Sequence, residues 1–240
     1  MIIGFLLGVA RATKVAKKRK IDPERVMDAA LIALIAGIVG ARLLYLLLSW
    51  HESNYTFVDI FRVWEGGLSF HGGLLLALIS VVVYLRRVKI PFLVMADLLA
   101  PSLAIGYAFT RIGCFLNGCC YGHLTNLPWA MRFNDPALGT LTPPSHPAQL
   151  YAFAANLAIF GILTRVEKLN QPRGFIFLAY LALYSAYRFL IEIVRKGATA
   201  EVVYAGLTEA QIVSAVILAI SLIPLFKLRV KIPKDQVASC

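Results

Sequence analysis

The chain has 240 residues, 59% of them hydrophobic and 15% charged, with a mean hydropathy of +0.73, which is more apolar surface than a soluble domain covers. Its net charge of +11 does not make it a nucleic-acid binder, because the basic residues stand between long uncharged runs and not on a face interleaved with polar groups. Composition predicts an all-α integral membrane protein, and the charge is then a record of topology.

The first apolar stretch, 2–10, is half a span and reads as a truncated anchor. Its charges follow the apolar segment and no small-residue cleavage site is evident, which argues against a secretory signal. Gly4 and Gly8 form a GxxxG pair that reads as coincidence in so short a segment. Runs long enough, or nearly so, to cross roughly 30 Å of hydrocarbon follow at 26–50, 68–85, 92–109, 148–163, 174–194 and 210–226. Alternate connections are basic: 11–25 holds seven Lys and Arg, 86–89 three, 165–173 three and 227–234 four, together 17 of the 24. The positive-inside rule makes these four connections cytoplasmic. About seven transmembrane helices result, with the N-terminus outside and the C-terminus in the cytoplasm. The longest connection, 114–147 between the fourth and fifth helices, then faces outward. No linker, heptad or low-complexity tract appears, so 1–240 reads as one polytopic membrane domain.

Seven basic residues fall outside the basic connections: Arg42, Arg62, Arg111, Arg132, Arg188, Arg195 and Lys196. A charge at mid-membrane costs about 2.5 to 3.5 kcal/mol on insertion scales, so such a residue faces a partner or an aqueous cavity. Snorkelling accounts for Arg195 alone, but Arg42, Arg111 and Arg188 together point to a pocket for an anion. In "YSAYRFLIEIVRKG" the residues Tyr184, Arg188, Glu192 and Arg195 would lie within about 80° of one another on a continuous helix, one polar stripe that cannot meet lipid. Arg188 and Glu192 can also simply pair. In "EGGLSFHGG", glycines including Gly72 and Gly73 surround His71 where the third span begins, a place where backbone can approach a ligand. "PPSHPAQLY" sets His146, Gln149 and Tyr151 at the start of the fifth span, for binding or for capping and interface anchoring. "RIGCFLNGCCYG" joins Arg111 to Asn117, Gly118, Gly122 and three cysteines.

These motifs, in this order on successive spans, resemble the prolipoprotein diacylglyceryl transferase family. "GAR" at Gly40 to Arg42, "ADLLAP" from Ala96 and "LTEAQIVS" from Leu207 fit it as well. The resemblance implies a multi-pass enzyme of the bacterial inner membrane that needs no cofactor or metal. Its partners would be phosphatidylglycerol, prolipoprotein signal peptides and the lipid bilayer, with no nucleic acid. It would transfer the diacylglyceryl group of the lipid to the lipobox cysteine thiol, forming a thioether and releasing glycerol phosphate. His71, Arg111 and Arg188 are the expected catalytic residues. Arg42, Asn117, Gly72, Gly73, Gly118, Gly122, His146, Gln149, Tyr151, Tyr184, Glu192 and Arg195 are expected to bind substrate. The chain departs from the family at Cys114 and Cys119, where an asparagine and a glutamate are common, and at Ala152, where glutamate is common.

That chemistry asks for a thiolate, a cationic clamp on the departing phosphate and a dry site. Guanidinium groups clamp phosphate oxygens bidentately, and an imidazole suits removal of the thiol proton. Two other classes compete. Cys114, Cys119 and Cys120 suggest a membrane thiol–disulfide oxidoreductase, although vicinal cysteines fit C-x-x-C chemistry poorly. The arginines alone suit an anion-binding transporter. With His123 the cysteines imitate a metal pattern, C-x4-C-C-x2-H, yet no second ligand pair follows, so no metal is assigned.

Overall fold

A computed structural model of the chain describes residues 2–50, 58, 62, 66–136, 139–169, 171–195, 202–204 and 206–230. Glu65 and Lys196, both part of the motifs above, lie outside the described residues. Among the described residues there are seven α-helices: α1 (Ile2–Lys18), α2 (Pro23–Leu48), α3 (Phe70–Arg87), α4 (Phe92–Leu116), α5 (Ala148–Val166), α6 (Phe175–Ile191) and α7 (Glu209–Val230). Five of them, α2 to α5 and α7, are long and apolar enough to cross a membrane, and α6 is a shorter apolar helix. Two small antiparallel pairs complete the structure, β1 (Asn134–Asp135) with β2 (Thr140–Leu141) and β3 (Val202–Tyr204) with β4 (Leu207–Thr208). The chain is an all-α membrane protein.

Contacts divide the chain into two units, 12–95 and 1–11 with 96–240. In the first, Asp22 caps α2 by accepting from the Glu24 N–H at 3.0 Å, with Pro23 in the first turn, a helix start that leaves few orphan donors. Helices α2 and α3 lie antiparallel and very close. A Cβ at Gly40 would collide with the Gly72 carbonyl, one at Gly72 with the Gly40 carbonyl, and one at Gly73 would lie 2.8 Å from the Gly37 carbonyl oxygen. Close approach of this kind replaces the hydrophobic driving force that lipid-embedded helices lack. Tyr84 adds a hydrogen bond to Asp28 at 2.7 Å. Leu34, Ile35, Leu47, Leu74, Leu75 and Leu78 are exposed, as lipid-facing side chains are.

In the second unit, Ala96, Ala100, Ala104 and Ala108 form a buried stripe of small residues along α4. Ile159, Leu163 and Ile176 pack with Ala100 and Ala104, flanked by Phe160, Phe175 and Tyr180. The GxxxG pair is no coincidence: Gly4 abuts Gly106 and Gly8 abuts Ser102, each at a distance that admits no side chain without a shift. Nor does the first helix stop at residue 10. It continues to Lys18, and Arg11 lies inside it, donating to the Leu98 carbonyl at 2.8 Å and pairing with Glu167. Helix α6 borrows its cap: the buried Asp97 of α4 accepts from the Gly174 and Phe177 N–H groups at 2.5 and 2.8 Å. Helix α7 opens on a capping box, Thr208 N–H to Gln211 Oε1 at 3.0 Å and Gln211 N–H to Thr208 Oγ1 at 3.2 Å.

Candidate functional site

Helix α4 runs seven residues beyond the expected end at 109, so Arg111 and Cys114 are helical and the connection begins at 117 instead of 114. The extension follows from local pairing. Arg111 bonds the Tyr107 hydroxyl one turn earlier, and its guanidinium carbon lies 4.6 Å from the Tyr107 ring centre, so the charge stays within the helix surface. Its Nε is buried without a hydrogen-bond partner.

Tyr107 carries this charge across to α6. Its ring meets that of Tyr184 edge-on at 5.5 Å, and Tyr184 contacts Tyr180 and Tyr187, each at 5.7 Å. Arg188 pairs with Glu192, whose carboxylate is fully buried and keeps its second oxygen, Oε1, without a partner. Arg111 thus reaches, through Tyr107, the tyrosine row of the helix that carries Arg188. Tyr107 and Tyr187 were not among the expected residues, although a tyrosine four residues before Arg111 and another directly before Arg188 were visible signals.

The helical stripe is shorter than expected. Helix α6 ends at Ile191, with Glu192 as its C-cap, so Arg195 does not continue the row. Arg195 instead forms a β-bridge with Gly122. Around that bridge the His123 N–H bonds the Val194 carbonyl at 2.8 Å, the Gly122 N–H bonds the His146 carbonyl at 2.9 Å, and the His146 N–H bonds the His123 carbonyl at 3.0 Å. A Cβ at Gly122 would collide with the Val194 carbonyl. Gly122, His146 and Arg195 are therefore brought together by a backbone ladder. Tyr151 lies 3.4 Å from His146 Nδ1 and accepts from Trp129 Nε1 at 2.7 Å. Gln149 is 1% exposed; its amide donates to the Cys119 carbonyl at 2.8 Å while Oε1 has no partner.

A Schellman motif closes α4. The Cys119 N–H bonds the Cys114 carbonyl at 3.1 Å and the Gly118 N–H bonds the Phe115 carbonyl at 3.1 Å, with Gly118 at φ +73°. Asn117 and Gly118 line a cavity of about 320 Å³ with Arg132, Phe133 and Asn134. Tyr121 stacks on Phe133 at 5.5 Å and donates to Asp135 at 2.6 Å, a carboxylate that holds the Tyr121 hydroxyl above the ordinary phenol range, with burial adding to it. The Sγ atoms of Cys114, Cys119 and Cys120 all lie within 4.8 Å of one another, and all three cysteines are free. Cys120 is held below the usual thiol range, first by a hydrogen bond from Cys114 and also by Cys119 and the charges of Arg111 and Arg195.

The other expected residues belong to unit 12–95. Arg42 is 4% exposed and donates to the Gly66 and Gly67 carbonyls at 2.6 and 3.3 Å, while the Ser69 N–H bonds the Ala41 carbonyl at 2.9 Å. Arg42 thus holds the segment that leads into α3. His71, the second residue of α3, is exposed and meets Phe70 edge-on at 5.8 Å. Gly72 and Gly73 serve the α2–α3 contact described above. Beside them Gly37, Ala41, Leu68, Phe70 and Leu74 line an apolar groove of about 440 Å³.

A family model described as prolipoprotein diacylglyceryl transferase matches residues 1–227. Three similar curated proteins carry the name phosphatidylglycerol--prolipoprotein diacylglyceryl transferase. That of Geobacter sulfurreducens is 37% identical over 81% of this chain and 75% of its own. That of Methylococcus capsulatus is 38% identical over 80% and 75%. That of Corynebacterium diphtheriae is 33% identical over 95% and 86%.

Proposed function

The chain belongs to the prolipoprotein diacylglyceryl transferase family, and from that premise we propose how its residues move the diacylglyceryl group of phosphatidylglycerol onto a prolipoprotein cysteine. It is a multi-pass bacterial membrane transferase. Family and relatives favour this over the oxidoreductase and transporter readings.

The reaction forms a carbon–sulfur bond at the glyceryl carbon as the carbon–oxygen bond to phosphate breaks. Glycerol phosphate leaves with the electron pair, and the thiol proton goes to a base. Arg111 and Arg188 clamp the departing phosphate. The observation that carries this reading is the link from Arg111 through Tyr107 to Tyr184, one turn before Arg188 on α6, with Arg111 Nε buried and unpartnered. A guanidinium stays charged in a low dielectric and matches phosphate geometry. Glu192 fixes the rotamer of Arg188, and Tyr184 closes the wall. His71 accepts the thiol proton, and Arg42 positions the backbone ahead of it. Asn117, Gly118, Gly122, His146, Gln149, Tyr151 and Arg195 form the head-group side, and Gly72 and Gly73 act on substrate indirectly, by seating the start of α3 and His71 against α2. The acceptor is recognised through its signal peptide. In the membrane the N-terminus and 117–147 face outward and the C-terminus faces the cytoplasm, as the basic connections require.

Purified protein, isotope-labelled phosphatidylglycerol and a lipobox peptide test the assignment, with mass spectrometry of the thioether adduct. Arg111→Gln and Arg188→Gln each remove charge-assisted bonds worth roughly 1.5 to 3 kcal/mol, a loss of at least tenfold in turnover. Lysine at either position restores little, because it presents no planar fork. Near-normal turnover in both glutamine variants would remove the clamp.

A further inference from the structure

The three thiols are unused by the transfer reaction, and the fold gathers them by identifiable means. The Schellman motif places its third-from-last helical residue against the residue directly after the glycine, a pair that is ordinarily a hydrophobic contact. Here that pair is Cys114 and Cys119. Gly118 cannot be replaced without striking the Asn134 carbonyl, so the turn that sets the pair is fixed. Cys120 then adopts φ +64°, a left-handed backbone that a non-glycine residue adopts at a cost. The outcome is that its sulfur joins the other two, all within 4.8 Å of one another.

We infer that Cys114, Cys119 and Cys120 form a three-thiolate site for a soft d10 cation of the zinc or copper(I) class. With metal–sulfur bonds of roughly 2.3 Å, three sulfurs around one ion stand roughly 3.8 to 4.0 Å apart. The sulfurs here, within 4.8 Å of one another, need to close by at most about an ångström. Thiolate ligands select zinc and copper(I) over hard cations. A disulfide would use two of the sulfurs and leave the third, whereas an ion uses all three. His123 is exposed and does not belong to the group, so the fourth position is left to water or another exogenous ligand. The spacing C-x4-C-C looked incomplete as a metal pattern because the helix cap, and not a second pair, supplies the convergence.

The test uses tag-free protein in detergent, reduced without thiols and carrying Cys240→Ser so that only the cluster thiols remain. Zinc is titrated against a chromophoric chelator, and cadmium is followed by its thiolate charge-transfer absorption. One ion per chain is expected, with three thiols protected from maleimide and a rise in melting temperature on adding zinc. Cys114→Ser, Cys119→Ser and Cys120→Ser should each weaken binding by at least about tenfold, and His123→Ala should leave it unchanged. Melting of each variant in chelator shows whether it is folded. Failure to saturate at one ion, binding that persists in folded serine variants, or dependence on His123 would each overturn the site. None of these readouts requires lipid transfer, so the inference stands or falls apart from the proposed activity.

Discussion

At Gly118 an added methyl group meets the Asn134 backbone, and the φ of +73° already disfavours any side chain. Gly118→Ala should therefore cost about 1 to 3 kcal/mol and lower the unfolding midpoint in detergent. Gly161, inside α5, has no atom within 4 Å of the position its Cβ would take. There the same change should be neutral or stabilising by up to about 1 kcal/mol. Equal midpoints for the two variants would contradict this account of Gly118. The contrast also marks what single residues reveal in a sequence. Arg111, Arg188 and Glu192 announce themselves because charge in an apolar run is costly, and each has a polar partner, Arg111 the Tyr107 hydroxyl and Arg188 the Glu192 carboxylate. Gly72 and Gly73 look like ligand-facing glycines, yet their nearest neighbours are the backbone and side chains of α2. A glycine reports that something comes close without saying what.

Between elements the contacts are made by small residues and by borrowed polar groups. Gly40→Leu should splay α2 from α3, since Cβ alone already strikes the Gly72 carbonyl and the Leu76 side chain. The loss should exceed about 2 kcal/mol and should disturb the Ser69 to Ala41 hydrogen bond that sets the start of α3. Asp97→Ala should cost about 1 to 3 kcal/mol, because two N–H groups at the start of α6 lose their acceptor. Asp97→Asn should retain part of that. Reversible unfolding, or hydrogen exchange at Phe177, measures it. Helix number was legible from hydropathy, and helix ends were not. A hydropathy run stops at a charge, whereas α1 carries Arg11 and α4 carries Arg111 on side-chain partners and continues. The opposite error occurs at α6, where a row drawn at helical spacing passes through the real end at Ile191. "ADLLAP" was legible as a motif, but that its aspartate caps another helix depends on a contact 77 residues away.

Over the whole chain, charge follows the alternation of the helices. Helix α1 ends on Lys17 and Lys18, α3 on Arg86 and Arg87, and α5 carries Arg165 in its last turn. Helices α2 and α4 have no basic residue in the last turn. Helix α6 has Arg188, and that charge is matched by Glu192 in an ion pair. Helices α1, α3 and α5 thus end where cations are favoured by the helix dipole, and the positive-inside rule would place those ends on the cytoplasmic face in the proposed topology. The alternation supports the proposed orientation without relying on where each span begins, and it persists although several predicted bounds moved. In a cysteine-free background, Thr140→Cys in β2 should react with a membrane-impermeant maleimide added to intact spheroplasts. Lys89→Cys, in the connection between α3 and α4, should react only after the membrane is opened. The reverse pattern would invert the topology, and with it the side from which the proposed clamp of Arg111 and Arg188 would meet a lipid.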